Sequence, residues 1–437
     1  MVTEVAADRT ADRTGRTGRL PRRAAFWSLA AMLAFLQFAS ATPSPMYGIY
    51  QHAWRFSPVT LTAVYAVNAI ALLVTLLFVG SLSDRTGRRP VLLTAAVVEM
   101  AAMLVFAEAR GVAWLVAGRV LQGLAAGAAS GAISAMMIDL QRPGSRLGAL
   151  MTNVSSAGGI ALGALGSGLL VEYGPAPTRL VYWLLLAVFG ALLTLVATMP
   201  ETVTADGAWR GSLRPRVTLP PQARGAYLAL LPSVVATWAL AGFYLSLGPT
   251  VIAALSHSTD HLLGGLVIVA LNGTGAVMAL LTRAWSPERA LYGGSTLLVT
   301  GVALAMTALA AQLTPLFVIG TVLAGAGFGP SFSGALRTLT GLAPTARRAE
   351  VVTAIYVASY LGLSLPAVAA GIAVVHLGLF ATAYGYGVGV IGLVALAAAV
   401  SLRGRHRSAA ARAAAPLSPH HDLPPCPGGT PALARHA

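Results

Sequence analysis

Two ionisable residues stand alone inside long apolar runs: Glu99 in VLLTAAVVEMAAMLVFA (91–107) and Arg119 in VAWLVAGRVLQGLAAGAASGAISAMM (112–137). A carboxyl among apolar side chains can take up and release a proton. A guanidinium there keeps its charge and must be paired, hydrogen-bonded or drawn to a water boundary. Glu99 and Arg119 are therefore candidates for a proton or charge relay, with a packing role for Glu99 and a snorkelling Arg119 as the plainer alternatives. Uncharged polar and aromatic residues recur in comparable runs: Gln37, Tyr65, Asn68, Ser130, Ser134, Asn153, Trp238, Tyr244, Ser246, Asn272, Tyr356 and Tyr360. Their chemistry is hydrogen bonding and stacking, directed either at a bound organic molecule or at neighbouring helices. Trp238, Asn272 and Tyr356 lie nearest the middle of their runs and rank first. Bond-breaking chemistry has no such foundation, because the sequence holds no GxxxxGK[ST], no HExxH and no paired intramembrane carboxylates. That argues against an enzyme or a self-contained ATP-driven pump, and leaves a non-transporting receptor as the rival of another class.

The elements that must position these residues follow from composition. Only 10% of the 437 residues are charged and the mean hydropathy is +0.74, against roughly 25% charged residues in a soluble domain. The solvent for most of this chain is lipid. All 29 basic residues are arginine, and the net charge is +15. They lie in tails and short connections, not on one face of a domain, so nucleic acid is not an expected partner. Cys426 is the lone cysteine, which excludes an intrachain disulfide and a thiolate metal cluster; neither a metal, with His420 and His421 nearby, nor a cofactor is implied. The N-terminal stretch is too long and polar for a cleaved leader.

Apolar segments of about 20 residues match a bilayer core. They fall near 24–42, 59–79, 90–108, 113–138, 148–171, 179–199, 226–253, 261–282, 290–312, 315–340, 350–374 and 379–401. Kinks are expected at Pro232, at Gly248-Pro249 and at Pro366. Alternate connections collect the arginines: Arg9 to Arg23; Arg85, Arg88 and Arg89; Arg142 and Arg146; Arg210, Arg214, Arg216 and Arg224; Arg283 and Arg289; Arg347 and Arg348; Arg403 to Arg412. The opposite connections hold only Arg55, Arg110 and Arg179. Because cytoplasmic loops concentrate arginine, an even number of spans with both termini cytoplasmic is expected. The resulting organisation is a disordered arm over 1–22, a six-helix bundle over 23–200, a cytoplasmic linker over 201–225, a second bundle over 226–402 and a disordered tail over 403–437.

The eleven residues GSLSDRTGRRP (80–90) join the second and third spans. Gly80, Asp84, Arg85, Gly87, Arg88 and Arg89 in this order closely resemble the signature loop of the major facilitator superfamily, and the six-plus-six layout matches as well. Gly118-Arg119-Val120-Leu121-Gln122-Gly123 resembles a second element of that family. A third is damaged: Gly163 and Gly168 remain of a run that drug antiporters usually write GPxxGG, but Ala164 replaces its proline and Ser167 a glycine. Gly123, Gly163 and Gly168 still suit close helix packing. The stretches Arg347 to Glu350 and Tyr360 to Pro366 resemble a recurring subset of the superfamily grouped with efflux proteins.

This resemblance implies an all-α membrane protein, with two pseudo-symmetric six-helix bundles around a central cavity. It implies transport of a small organic solute by alternating access across a bacterial plasma membrane, working as a monomer without cofactors. Proton-coupled efflux is the favoured direction; import by a proton symporter or facilitator is the alternative. The resemblance makes the 80–90 loop a gate and lock. Asp84 is expected to face the start of the eleventh helix near Glu350 and to pair with Arg88. The scarcity of intramembrane acids points to a neutral, aromatic cavity suited to apolar or weakly polar solutes. At 1.5 Å per residue, Glu99 lies about 13 Å and Arg119 about 28 Å from the inner face, so Glu108 is the expected partner of Arg119.

Overall fold

Helices that are apolar around their whole circumference need apolar surroundings on every side. The computed structural model contains twelve helices long and apolar enough to cross a membrane. They are α1 Arg22–Ala41, α2 Pro58–Val79, α3 Arg88–Ala107, α4 Val112–Leu140, α5 Leu147–Tyr173, α6 Leu180–Thr198, α7 Pro221–Ser246, α8 His261–Leu281, α9 Pro287–Ala311, α10 Thr314–Leu342, α11 Arg348–Leu377 and α12 Leu379–Ala414. The structure describes residues 20–79, 83–142, 147–203, 219–258, 260–344 and 347–414, excepting the side chains of Val79, Asp84, Arg85, Ala149, Ala349 and residues 404–414. No strand occurs among the described residues.

The packing partners reveal a repeat. In the N-terminal bundle α2 and α3 pack on α4, α1 on α5 and α3 on α6; in the C-terminal bundle α8 and α9 pack on α10, α7 on α11 and α9 on α12. The bundles meet through α2 against α11 and α5 against α8. Moving six helices along the chain converts one set of partners into the other and exchanges the two inter-bundle pairs. The repeat extends to the connections. A short helix follows α1 (Tyr47–Trp54) and another follows α7 (Gly248–Ser256), and each ends on a left-handed residue, Arg55 and His257, both at φ 50°.

Small residues set how closely the helices approach. A Cβ at Gly163 of α5 would lie 2.3 Å from the Phe38 carbonyl oxygen of α1, and one at Gly123 of α4 would lie 2.5 Å from the Asn68 carbonyl oxygen of α2. At Gly168 the nearest atoms, in α8, are 3.6 Å away, an ordinary contact. Between bundles, a Cβ at Gly265 of α8 would lie 2.6 Å from the Ala164 carbonyl oxygen of α5. Nearby, Glu172 Oε2 accepts a hydrogen bond from the His261 backbone N–H at 3.1 Å and lies 3.2 Å from His261 Nδ1. Gly371 of α11 packs against Thr62 and Pro58 of α2. All these contacts lie in the half of the molecule remote from the 80–90 loop. Toward the loop-bearing face, a Cβ at Gly131, Gly158 or Gly341 would meet nothing within 4 Å. The close inter-bundle contacts at Gly265 and Gly371 lie at the face opposite the loop.

Several expected boundaries move. The seventh span, expected over 226–253, is a helix from Pro221 to Ser246, followed by a separate short helix. Pro221 sits at the first helical position, where its missing N–H is harmless, while Gly248-Pro249 interrupts continuation. Residues 221–225, assigned to the linker, are therefore helical. So are residues 403–414, assigned to a disordered tail. Pro232 and Pro366 lie inside continuous helices, as does Pro330 of α10. Residues 1–19 of the arm, 204–218 of the linker, 415–437 of the tail (His420, His421 and Cys426 included) and Gly80 lie outside the described residues.

The spacing at Gly163 yields a test. Gly163→Val should lower the melting temperature and monodisperse yield in detergent, because backbone cannot give way to the added atoms. Gly158→Ala, facing open space, should leave both unchanged or slightly raised. Equal behaviour of the two variants would contradict the packing.

Candidate functional site

Helix α4 places Arg119 and Gln122 one turn apart on one face. Both are fully buried, and so is Glu99 of α3. Arg119 donates through Nε and Nη2 to the Tyr47 hydroxyl at 3.0 and 2.7 Å, and through Nη1 to the Ser40 carbonyl and Gln122 Oε1, both at 2.7 Å. Gln122 Nε2 donates to Glu99 Oε1 at 3.5 Å. The rings of Tyr47 and Tyr65 each lie 5.6 Å from the guanidinium carbon. Asn68 Nδ2 donates to the Ser40 hydroxyl at 3.2 Å, tying α2 to the same end of α1. Burial pushes the Tyr47 phenol above its ordinary range although Arg119 opposes the shift, so Tyr47 is a neutral acceptor. The guanidinium is thus held by neutral oxygens and ring faces, with its nearest described carboxylate one residue removed. Glu99 Oε2 has no described partner.

Glu108 does not serve Arg119. It lies 4.0 Å from Arg110, with both side chains substantially exposed. The expected separation of Glu99 and Arg119 also fails. Glu99 lies eight residues from the end of α3 at Ala107 and Arg119 seven from the start of α4 at Val112, about 12 and 10 Å along their helices. The 29-residue length of α4 lets it begin well before the average bilayer boundary, which an estimate based on a uniform span cannot include. Gln122 then bridges the remaining gap.

At the loop-bearing face, Gly87 has φ +94°, and a Cβ there would lie 2.9 Å from Glu201 Oε2. Conformation and space both demand glycine. Glu201 accepts from the first backbone amides of α3, Arg88 N at 3.1 Å and Arg89 N at 2.9 Å, where a negative charge is favoured. Arg88 ion-pairs with Asp139 near the end of α4, whose carbonyl also accepts from Arg22 of α1 at 3.3 Å. Arg89 donates to the Ala197 carbonyl of α6. The loop is thereby tied to α1, α4 and α6. The side chains of Asp84 and Arg85 lie outside the description, and with them the contact expected between Asp84, Arg88 and the start of α11.

The remaining candidates divide. Trp238 of α7 and Tyr356 and Tyr360 of α11 come together with Phe328 and Phe332 of α10 in one half-buried aromatic cluster. Gln37 donates to Ser156 of α5 at 3.0 Å. Tyr244 bonds Thr321 at 2.9 Å and Asn272 donates to the Ile268 carbonyl at 3.2 Å, both within the C-terminal bundle. Asn153 is exposed on α5. Ser130, Ser134 and Ser246 donate to backbone carbonyls of their own helices. Sequence reasoning missed Tyr47, which sits in a connection, and Glu201, Asp139, Phe328 and Phe332. Gln122 was legible only through the resemblance of residues 118–123 to a family element.

A family model described as Major Facilitator Superfamily matches residues 27–365. Among solved structures, a nucleoside transporter NupG superposes with a TM-score of 0.64 at 14% identity, covering 86% of this chain and 98% of that one. A POT family transporter in complex with 5-aminolevulinic acid gives a TM-score of 0.66 at 14% identity, over 86% and 96% of the respective chains. No curated protein matches the sequence.

The Arg119 network should be intolerant of substitution. Arg119→Leu leaves Tyr47, Ser40 and Gln122 without their donor, and a loss of about 1–3 kcal/mol is expected for each buried acceptor left unsatisfied. Arg119→Lys should not restore it, since an ammonium lacks the planar fork. Thermal unfolding in detergent measures both, and full rescue by lysine would show that charge alone is what matters.

Proposed function

The chain belongs to the major facilitator superfamily, and from that membership we propose that it moves a small, apolar or weakly polar organic solute by alternating access, coupled to protons and directed outward. The solute occupies the space between the bundles. The loop-bearing face is cytoplasmic, both termini lie on that side, and the protein works as a monomer in a bacterial plasma membrane, its bundles joined by the linker after Glu201. The arginine bias of alternate connections supports the orientation. Close contacts of α11 with α2 at Gly371 and of α8 with α5 at Gly265 join the bundles at the opposite face.

The observation that carries the coupling is the buried series Glu99, Gln122, Arg119 and Tyr47. A carboxyl in that position has two states: neutral with a bound proton, or charged and drawn toward Arg119 through Gln122. Changing between them alters the load on Arg119, whose charge also holds the Tyr65 ring of α2. Helix α2 in turn packs on α11 of the other bundle, so proton state and bundle contact are joined through one helix. Outward direction rests on resemblance to efflux members; the competing reading is import by the same machinery.

The deciding measurement uses purified protein in vesicles enclosing a pH-sensitive dye, with a panel of hydrophobic compounds and sugars supplied across an imposed pH gradient. Solute-dependent proton movement opposite to the solute is expected from the wild type. Glu99→Gln should abolish the proton signal while retaining solute exchange at equal pH. Proton movement in the same direction as solute would make the chain an importer, and an unaltered proton signal in Glu99→Gln would remove Glu99 from the relay.

A further inference from the structure

We propose that the aromatic cluster of the C-terminal bundle is a recognition surface for a flat, uncharged ring system with a hydrogen-bond acceptor at its edge. This deepens the transporter reading above and rests on it. Five rings from three helices form the cluster. Phe328 and Phe332 are one turn apart on α10, and Tyr356 and Tyr360 one turn apart on α11, so each helix directs two rings to one side. Trp238 of α7 lies between them, 5.3 Å from Phe332, 5.5 Å from Tyr360 and 6.4 Å from Phe328 by ring centroids. Tyr356 lies 6.2 Å from Tyr360 and 6.4 Å from Phe332.

These rings are not ordinary core. Phe106, Phe189 and Phe317 are sealed to 2% exposure or less, whereas all five members of the cluster remain half-buried. Each therefore keeps ring area available for contact. Helix α11, which carries Tyr356 and Tyr360, packs on α2 of the other bundle, which places that side of the cluster toward the approach of the two bundles. Offset and edge-to-face contacts favour a planar ring as the partner of such a surface.

Two observations narrow the chemistry. Trp238 Nε1, a donor that cannot accept, is buried with no hydrogen-bond partner among the described residues. A ligand acceptor that displaces the side chains covering the indole edge would meet it. The electrostatics disfavour a cation: α7 and α10 carry no acid, and α11 has only Glu350 in its first turn. The nearest charge reached through Tyr65 is the buried Arg119. A polyol such as a sugar would find one indole N–H and two phenols where it needs many partners, so its hydroxyls would lose more hydrogen bonds to water than they gain.

The test compares three probes of nearly equal size by equilibrium dialysis against purified full-length protein: coumarin, flat with a carbonyl acceptor; naphthalene, flat without one; and octahydrocoumarin, which keeps the carbonyl but not the planarity. Coumarin should bind most tightly. Trp238→Phe should weaken coumarin by roughly five- to tenfold more than it weakens naphthalene, the worth of one neutral hydrogen bond. Tyr356→Leu should weaken both flat probes, which keeps the proposal testable if Trp238→Phe is poorly folded. Coumarin binding that ignores Trp238→Phe, octahydrocoumarin binding as tightly as coumarin, or no binding of either flat probe to folded protein would overturn the proposal. Transport of a non-aromatic solute without coumarin binding would sink this surface and leave the transporter reading intact. Coumarin binding to a protein that moves nothing in vesicles would do the reverse.

Discussion

Arg119 carries a charge that no protein environment removes, and it has no exposed surface, so its neighbours must supply what water would. Four hydrogen bonds to neutral oxygens and two ring faces do so. These partners come from α1, from the connection after it, from α2 and from α4 itself. The charge therefore fixes the relative placement of three helices and explains why the chain after α1 turns back as a short helix instead of running straight to α2: Tyr47 must reach inward. The arrangement also leaves Glu99 one residue away, close enough to respond to the charge yet not locked to it.

The two bundles repeat one packing plan but fill it differently. The N-terminal bundle holds the buried charges, and its loop-bearing end is tied together by Arg88, Asp139, Glu201 and Arg89. The C-terminal bundle holds the aromatic cluster of α7, α10 and α11. Helix packing needs small residues wherever backbones approach, and both bundles satisfy that need, as Gly123 and Gly163 do on one side and Gly301 and Gly320 on the other. What the repeat does not dictate is the side chains facing the middle. Divergence there, on a shared frame, places buried charges in one half and an aromatic cluster in the other.

Much of this was legible in the sequence, for identifiable reasons. Span number followed from apolar length, and the grouping into two sets of six from the long polar stretch after Glu201. Gly87 could be singled out because its loop is too short for an ordinary turn, and the structure adds the carboxylate that occupies the space of a side chain. Partners of buried polar groups were not legible. Glu108 was chosen for Arg119 by estimated depth in the bilayer and by charge, whereas the structure uses a phenol, a backbone carbonyl and an amide. Neutral partners carry no signature in a sequence, and Tyr47 sits outside every apolar run. Phe328 and Phe332 were missed for the opposite reason: in an apolar helix, nothing separates a ring that packs from one that faces an opening.

Tyr65 gives these parts a common boundary. Its ring lies against Arg119 within the N-terminal bundle, and its helix packs on α11, which carries Tyr356 and Tyr360 of the C-terminal aromatic cluster. Its helix also forms one of the two main inter-bundle contacts. A change in charge balance at Glu99 and Arg119 and a change in what lies against Tyr360 would both be felt by the same short segment of α2. Coupling requires a single element whose alternative positions both sites bias. Close approach at Gly123 of α4 on one side and Gly371 of α11 on the other leaves α2 little freedom to move without carrying both neighbours.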